Sequence, residues 1–176
     1  MLSKMIVLFI FFASFVSAEE LSTEKKKSLM EQVEKVKVWA IDKKIIDAVR
    51  EENKKSKNNE LTQDKWEKLS VLDPIVRDFE KNSAAELLKT HKTDSISEIF
   101  LNSADGKKVA FLAKTTNWSH KGKPKHEQPM KGNVWIGKVE VDESSGKTQI
   151  QVSVPVVDAG KNIGSLTVGF NVSELK

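Results

Sequence analysis

Residues 147–172 read KTQIQVSVPVVDAGKNIGSLTVGFNV, and this stretch decides the fold. Through Lys147–Val157 the residues alternate. Ile150, Val152, Val154 and Val156 point one way; Gln149, Gln151 and Ser153 point the other. A period of two marks a strand, because successive side chains leave a pleated backbone on opposite faces. Asp158-Ala159-Gly160-Lys161 then reads as a tight turn. After it, Ile163–Val172 alternates again, with Leu166, Val168, Phe170 and Val172 inward and Ser165, Thr167 and Asn171 outward. Two alternating runs joined by a short turn predict an antiparallel hairpin.

Working upstream, Val134–Asp142 reads as a third strand, ended by a turn at Glu143-Ser144-Ser145-Gly146. Asn117–Gly132 holds prolines, glycines, histidines and lysines and predicts a long loop. Ile96–Asn102 and Lys108–Thr115 read as two strands around Ala104-Asp105-Gly106-Lys107, where Asp-Gly suits a hairpin turn. Before residue 95 the period changes to that of a helix. One long helix is predicted from about Ser22 to about Asn53, with Leu29, Val33, Val36 and Ala40 on one line and Val38, Ile41, Ile45 and Val49 on the next. Lys54–Glu60 is a polar breaker. A short helix is expected over Thr62–Ser70, and a third from Pro74 to about Thr90, started by Asp73 as cap and Pro74 in the first turn. Helices first and strands afterwards predict an α+β fold with an antiparallel sheet.

The chain's 176 residues suit one domain. Met1–Ala18, MLSKMIVLFIFFASFVSA, has the form of a signal peptide: Lys4, an apolar run, then the small residues Ser17 and Ala18. The run is too short for a membrane span of about 20 apolar residues. The expectation is a cleaved leader at 1–18, one domain at 19–176 (helical part about 22–91, sheet part about 95–173), a periplasmic or secreted location and no stable membrane anchor. There is no cysteine, which excludes disulfides and thiolate chemistry. Arg50 and Arg77 are the only arginines, so the net charge of +4 reads as a solvated lysine surface and not as a nucleic-acid site.

Two segments resemble a known family. Ile99-Phe100-Leu101-Asn102-Ser103-Ala104-Asp105-Gly106-Lys107-Lys108-Val109-Ala110 looks like the first hairpin of extracellular Cache domains, the PAS-like (PDC) sensor modules of bacterial receptors. Val134-Trp135-Ile136-Gly137, Gln151-Val152-Ser153-Val154-Pro155-Val156-Val157-Asp158 and Gly160-Lys161-Asn162-Ile163-Gly164-Ser165-Leu166 are similar to its later strands and closing hairpin. The resemblance implies a five-stranded antiparallel sheet with the long N-terminal helix packed on one face. It implies a small-molecule pocket on the other. Family members usually continue into a membrane helix and an output module. This chain ends at Lys176, so the resemblance implies action through a partner, a membrane receptor or another protein.

The candidate ligand-binding residues are Trp118, His126, Lys131, Trp135, Gln151, Ser153 and Asp158. The Asn117–Gly132 loop, with Trp118, His120, Lys121, Lys123, Lys125, His126 and Lys131, offers cations and an aromatic wall to a carboxylate or amino acid. Its alternative is a solvated basic loop anchored by Trp118. Trp135 is core or pocket wall. Asp158 matches the family's acidic position, which in amino-acid-binding members holds the ligand's ammonium group; otherwise it is a turn residue. Gln151 and Ser153 lie on a polar strand face that is either wet or lines the pocket. His120, His126 and Glu127 match no metal spacing, and no Gly-x-Ser-x-Gly turn or phosphate loop occurs. The expectation is a non-catalytic sensory module with no cofactor and no metal. The rival is an adaptor that uses helix and sheet as a protein interface.

Overall fold

A computed structural model describes residues 21–55, 61–142 and 146–176; the expected leader lies outside them. Among the described residues no helix is long and apolar enough to cross a membrane. The long first helix is two: α1 (Thr23–Ala40) and α2 (Lys43–Lys54). The break comes at Ile41-Asp42, where the Asp42 side chain accepts from the Lys44 N–H and so starts a new helix. The bend also resolves the two apolar lines. Leu29, Val33, Val36 and Ala40 continue into Ile45 and Val49, all buried, while Val38 and Ile41 are 64% and 63% exposed.

The short helix α3 (Gln63–Lys68) follows. The helix expected from Pro74 is also two, α4 (Pro74–Lys81) and α5 (Ser83–Thr90). Asn82 divides them. Its side-chain oxygen caps α5 at Ala85 N, and its amide donates to the Val109 carbonyl at 2.8 Å. A polar residue that competes with the helix backbone thus ties the helices to the sheet.

The strands are β1 (Ile96–Ser103), β2 (Lys108–Phe111), β3 (Trp135–Ile136), β4 (Glu140–Val141), β5 (Thr148–Asp158) and β6 (Lys161–Asn171). All pairings are antiparallel, in the order β2-β1-β6-β5-β3, with β4 also on β5. The sheet has six strands and not five because the expected strand 134–142 is interrupted between Gly137 and Val139, leaving two short pieces on one neighbour. β2 is likewise shorter than expected. The loop 117–132 contains a helix, α6 (Pro124–Met130), opened by Pro124 at a first-turn position where no N–H is needed.

The β5–β6 hairpin pairs as its alternation requires, with Val152 opposite Val168 and Val154 opposite Leu166. These residues, with Ile99, Leu101 and Phe170, face α1, α2 and α5 and form the main core. The reverse face carries Gln149, Gln151, Ser153, Ser165, Thr167 and Asn171, and every one of them is buried. Part of its cover is α6, which packs on β5 and β6. A second cluster of Trp66, Phe79, Phe100, Phe111 and Trp118 closes the β2 end of that face.

Candidate functional site

The polar face opens into a cleft of about 690 Å³. That lies within the roughly 300–1,000 Å³ of small-molecule pockets. Its floor is Phe100 from β1 with Gln149 and Gln151 from β5; its walls come from the segment 113–120, from Lys125 on α6 and from residues 140–142.

Charge is divided within it. Glu98, Glu140 and Asp142 supply carboxylates; Lys114 and Lys125 supply cations. A chain of side-chain bonds joins the halves. Lys125 Nζ donates to Gln151 Oε1, and Gln151 Nε2 donates to Glu98 Oε1. Gln149 Nε2 also reaches Glu98 at 3.4 Å, and Ser97 Oγ donates to Gln149 Oε1 at 2.6 Å. Burial holds the Lys125 ammonium below the ordinary lysine range, while Glu98 and Glu140 oppose the shift. A partly desolvated cation binds an incoming carboxylate more strongly than a surface lysine does.

Beneath the cleft lies a second network. Lys108 Nζ donates to Asn102 Oδ1 at 3.0 Å, lies 2.6 Å from His120 Nδ1 and sits 4.3 Å above the Phe100 ring centroid. Asn102 Nδ2 donates to Ser165 Oγ at 3.1 Å; Ser165 Oγ and His126 Nδ1 are 2.9 Å apart. His126 Nε2 then lies 3.2 Å from the Ala104 carbonyl. Burial, then the positive charges of Lys108, Lys125, His126 and Lys123, pushes His120 down to about 2. Burial also lowers His126, against the Ala104 hydrogen bond. His120 is therefore an uncharged ring on the cleft wall. Gly106 makes this approach possible. It has φ +74°, and a Cβ there would collide with the Lys121 backbone nitrogen. Its carbonyl accepts from His120 N–H at 2.8 Å.

Of the seven residues expected at the ligand, Gln151 alone lines the cleft. Ser153 is one pleat further along the same face, fully buried and bonded to Thr167 Oγ1. His126 belongs to the network below and is 1% exposed. Trp135 pairs with Ser153 across β3–β5 and covers Gly137. Trp118 is a correction: it is buried 5.2 Å from Trp66 and 5.3 Å from Phe79, in the aromatic cluster and not among the loop's cations. Lys131 is exposed, just past the end of α6. Asp158 is also elsewhere. It sits at the β5–β6 turn, where Arg50 Nε and Nη2 hold its two oxygens at 2.9 Å each. That bidentate pair holds the Asp158 carboxyl below its ordinary value.

Sequence reasoning missed Glu98, Phe100, Lys108, Gln149 and Glu140. The alternation of β5 could have singled out Gln149 beside Gln151. Nothing local distinguishes Lys108 from the chain's many surface lysines. Among the described residues no three His, Asp or Glu side chains converge as a metal-ligand set.

The fold and the cleft define an α+β module with a small-molecule-sized site on the sheet face opposite the long helices. No family model and no curated protein matches the chain. Among solved structures it is similar to the sensor domain of the Vibrio cholerae histidine kinase DctB (TM-score 0.47, 16% identity, covering 85% of this chain and 53% of that one). It is also similar to the ligand-binding domain of the Pseudomonas aeruginosa PAO1 amino acid chemoreceptor PctC in complex with GABA (TM-score 0.49, 13% identity, 86% and 58%). A third is the ligand-binding domain of the Campylobacter jejuni chemoreceptor Tlp3 with 4-methylisoleucine (TM-score 0.44, 17% identity, 88% and 62%). The chain thus spans between about half and three-fifths of those domains. Their ligands belong to those receptors.

Proposed function

We propose that the chain is an exported sensory module of the Cache type that binds an amino acid or small carboxylate without chemical change. The observation that supports this reading is the buried polar sheet face, opened at one place into a cleft that is lined by both cations and carboxylates. An amino acid, with one charge of each sign, suits such a lining. Its carboxylate meets Lys125 and the neutral His120; its ammonium group meets Glu98 and Glu140. Phe100 and the glutamine side chains between them suit its carbon skeleton. Export through the leader at 1–18 and signalling through a receptor or other partner are parts of the same proposal.

The test is calorimetric titration with two probe sets: amino acids, and carboxylates lacking an ammonium group. Lys125→Ala is expected to weaken every binder at least tenfold, because a charged hydrogen bond is lost. Glu98→Gln is expected to weaken only the amino acids. Absence of binding in both sets contradicts the reading, as does binding that neither variant changes.

A further inference from the structure

Lys108 has surroundings that a binding cleft alone does not explain. It is fully buried on β2, below the cleft and not in its lining. Its hydrogen bonds run to Asn102 and His120 and to no carboxylate. A buried lysine without an ion-pair partner is costly to charge.

The donor directions in this network can be worked out from one end. The Ala104 carbonyl only accepts, so His126 carries its proton on Nε2. Its Nδ1 therefore accepts, and the Ser165 hydroxyl donates to it. The Ser165 oxygen takes its bond from Asn102 Nδ2, so Asn102 Oδ1 faces Lys108 and accepts. Around Nζ there remain His120 Nδ1 and the face of Phe100, whose negative quadrupole favours an N–H or a cation.

Two states satisfy these contacts. An ammonium gives its three N–H groups to Asn102, His120 Nδ1 and the Phe100 face. His120 then holds its own proton on Nε2. A neutral amine gives two N–H groups to Asn102 and Phe100 and accepts from a proton on His120 Nδ1. His120 Nε2 is then an acceptor. His120 has no other hydrogen bond from its ring and lies on the cleft wall, so this nitrogen is the one available to a ligand.

We infer that Lys108 and His120 form one proton-coupled unit, in which an oxygen anion bound at His120 Nε2–H draws a proton onto Lys108. The proton count balances. One proton from solvent joins Nε2, the proton on Nδ1 passes to Lys108 Nζ, and the net gain is one. Lys108 is thus a positioning residue that decides whether the cleft offers a donor or an acceptor. The anion's identity as ligand rests on the binding reading above; the Lys108–His120 unit does not. The charged and titratable groups facing the pair are Glu98 on β1, Lys123 before α6, and Lys125 and His126 on α6. Burial lowers Lys108 well below the lysine range; Lys125 adds to this and Glu98 opposes it. An anion beside Lys125 offsets that repulsion and favours the ammonium.

The experiment is nitrogen-15 spectroscopy of the histidine side chains, titrating the protein from about pH 5 to about pH 10. His120 is expected to stay uncharged throughout and to change in one step from the Nε2–H to the Nδ1–H tautomer as pH rises. Lys108→Met is expected to abolish the step. Lys125→Gln is expected to move it to higher pH. At the midpoint, acetate or glutamate is expected to restore Nε2–H. A single tautomer across the range, an imidazolium forming near pH 6.5, or a step that survives Lys108→Met overturns the unit. A step that neither probe moves overturns its coupling to an anion. Acetate or glutamate binding without a step overturns the unit and leaves the binding reading standing.

Discussion

The two faces of the sheet are equally buried and chemically opposite. On the helix side, Val152, Val154, Leu166, Val168 and Phe170 pack with no polar atom to satisfy. On the α6 side, Ser153, Ser165, Thr167 and Asn102 have no exposure either, yet each carries a polar atom that is hydrogen-bonded to a neighbour's side chain. The first face is held by area and fit, which tolerate no ligand. The second depends on side-chain pairings, since an unmatched polar atom in a buried site costs more than the bond returns. A face of that kind is poor glue. Polar groups are open to a ligand where its cover leaves a gap, and the gap lies over Gln149 and Gln151.

Truncation should separate the faces. Phe170→Ala empties a fully buried site on the helix side and is expected to cost about 3–5 kcal/mol in urea unfolding. Thr167→Val on the polar side strands the Ser153 hydroxyl and is expected to cost about 1–3 kcal/mol. Adding Ser153→Ala should recover most of that loss. If the double variant is as unstable as the sum of the singles, the pair is not the source of the cost.

Titration sharpens the contrast, because Lys108, His120 and His126, the buried ionisable residues among those described, lie on the polar side. His120 falls to about 2 in the folded protein. An unfolded histidine takes up its proton near pH 6.5. Between those values the unfolded chain binds more protons, so stability falls as pH falls from about 6.5. His126, also lowered, acts with the same sign. His120→Gln should flatten the stability slope between about pH 6.5 and about pH 5. An unchanged slope would mean that His120 reaches water.

The smallest effect is expected outside both faces. Asp158 is held low by Arg50, so its contribution is present above the ordinary carboxylate value and is lost as pH falls below about 4. The pair is solvent-accessible, so Asp158→Asn should lower the unfolding midpoint only slightly at neutral pH and leave ligand binding unchanged. A variant that lost binding would return Asp158 to the site.

The strands were legible because alternation is local. Gln149–Val156 and Leu166–Asn171 name their two faces from sequence alone, and Gly106 and Gly160 mark the turns between strands, each with positive φ. What alternation cannot tell is what covers a face. The polar side is dry because α6 folds back over β5 and β6, and that contact spans more than 20 residues. For the same reason Lys108 read as one more solvated lysine. The helix breaks at Asp42 and Asn82 were hidden because the apolar spacing runs on through both. Their caps are visible only once the side chains are seen bonding Lys44 N and Ala85 N. Asp158 had a family role and a local one, and the local charge of Arg50 took it.

The most direct measurement is a nuclear magnetic resonance map of backbone and side-chain shifts as amino acids and carboxylates are added. Saturable shifts are expected, centred on Glu98, His120, Lys125, Gln149 and Gln151, with the helix-side valines still. Shifts centred on the exposed Val38 of α1 and Ile41 just after it, or no shifts with any probe, would contradict ligand binding in the cleft and favour a protein-docking role for the helices.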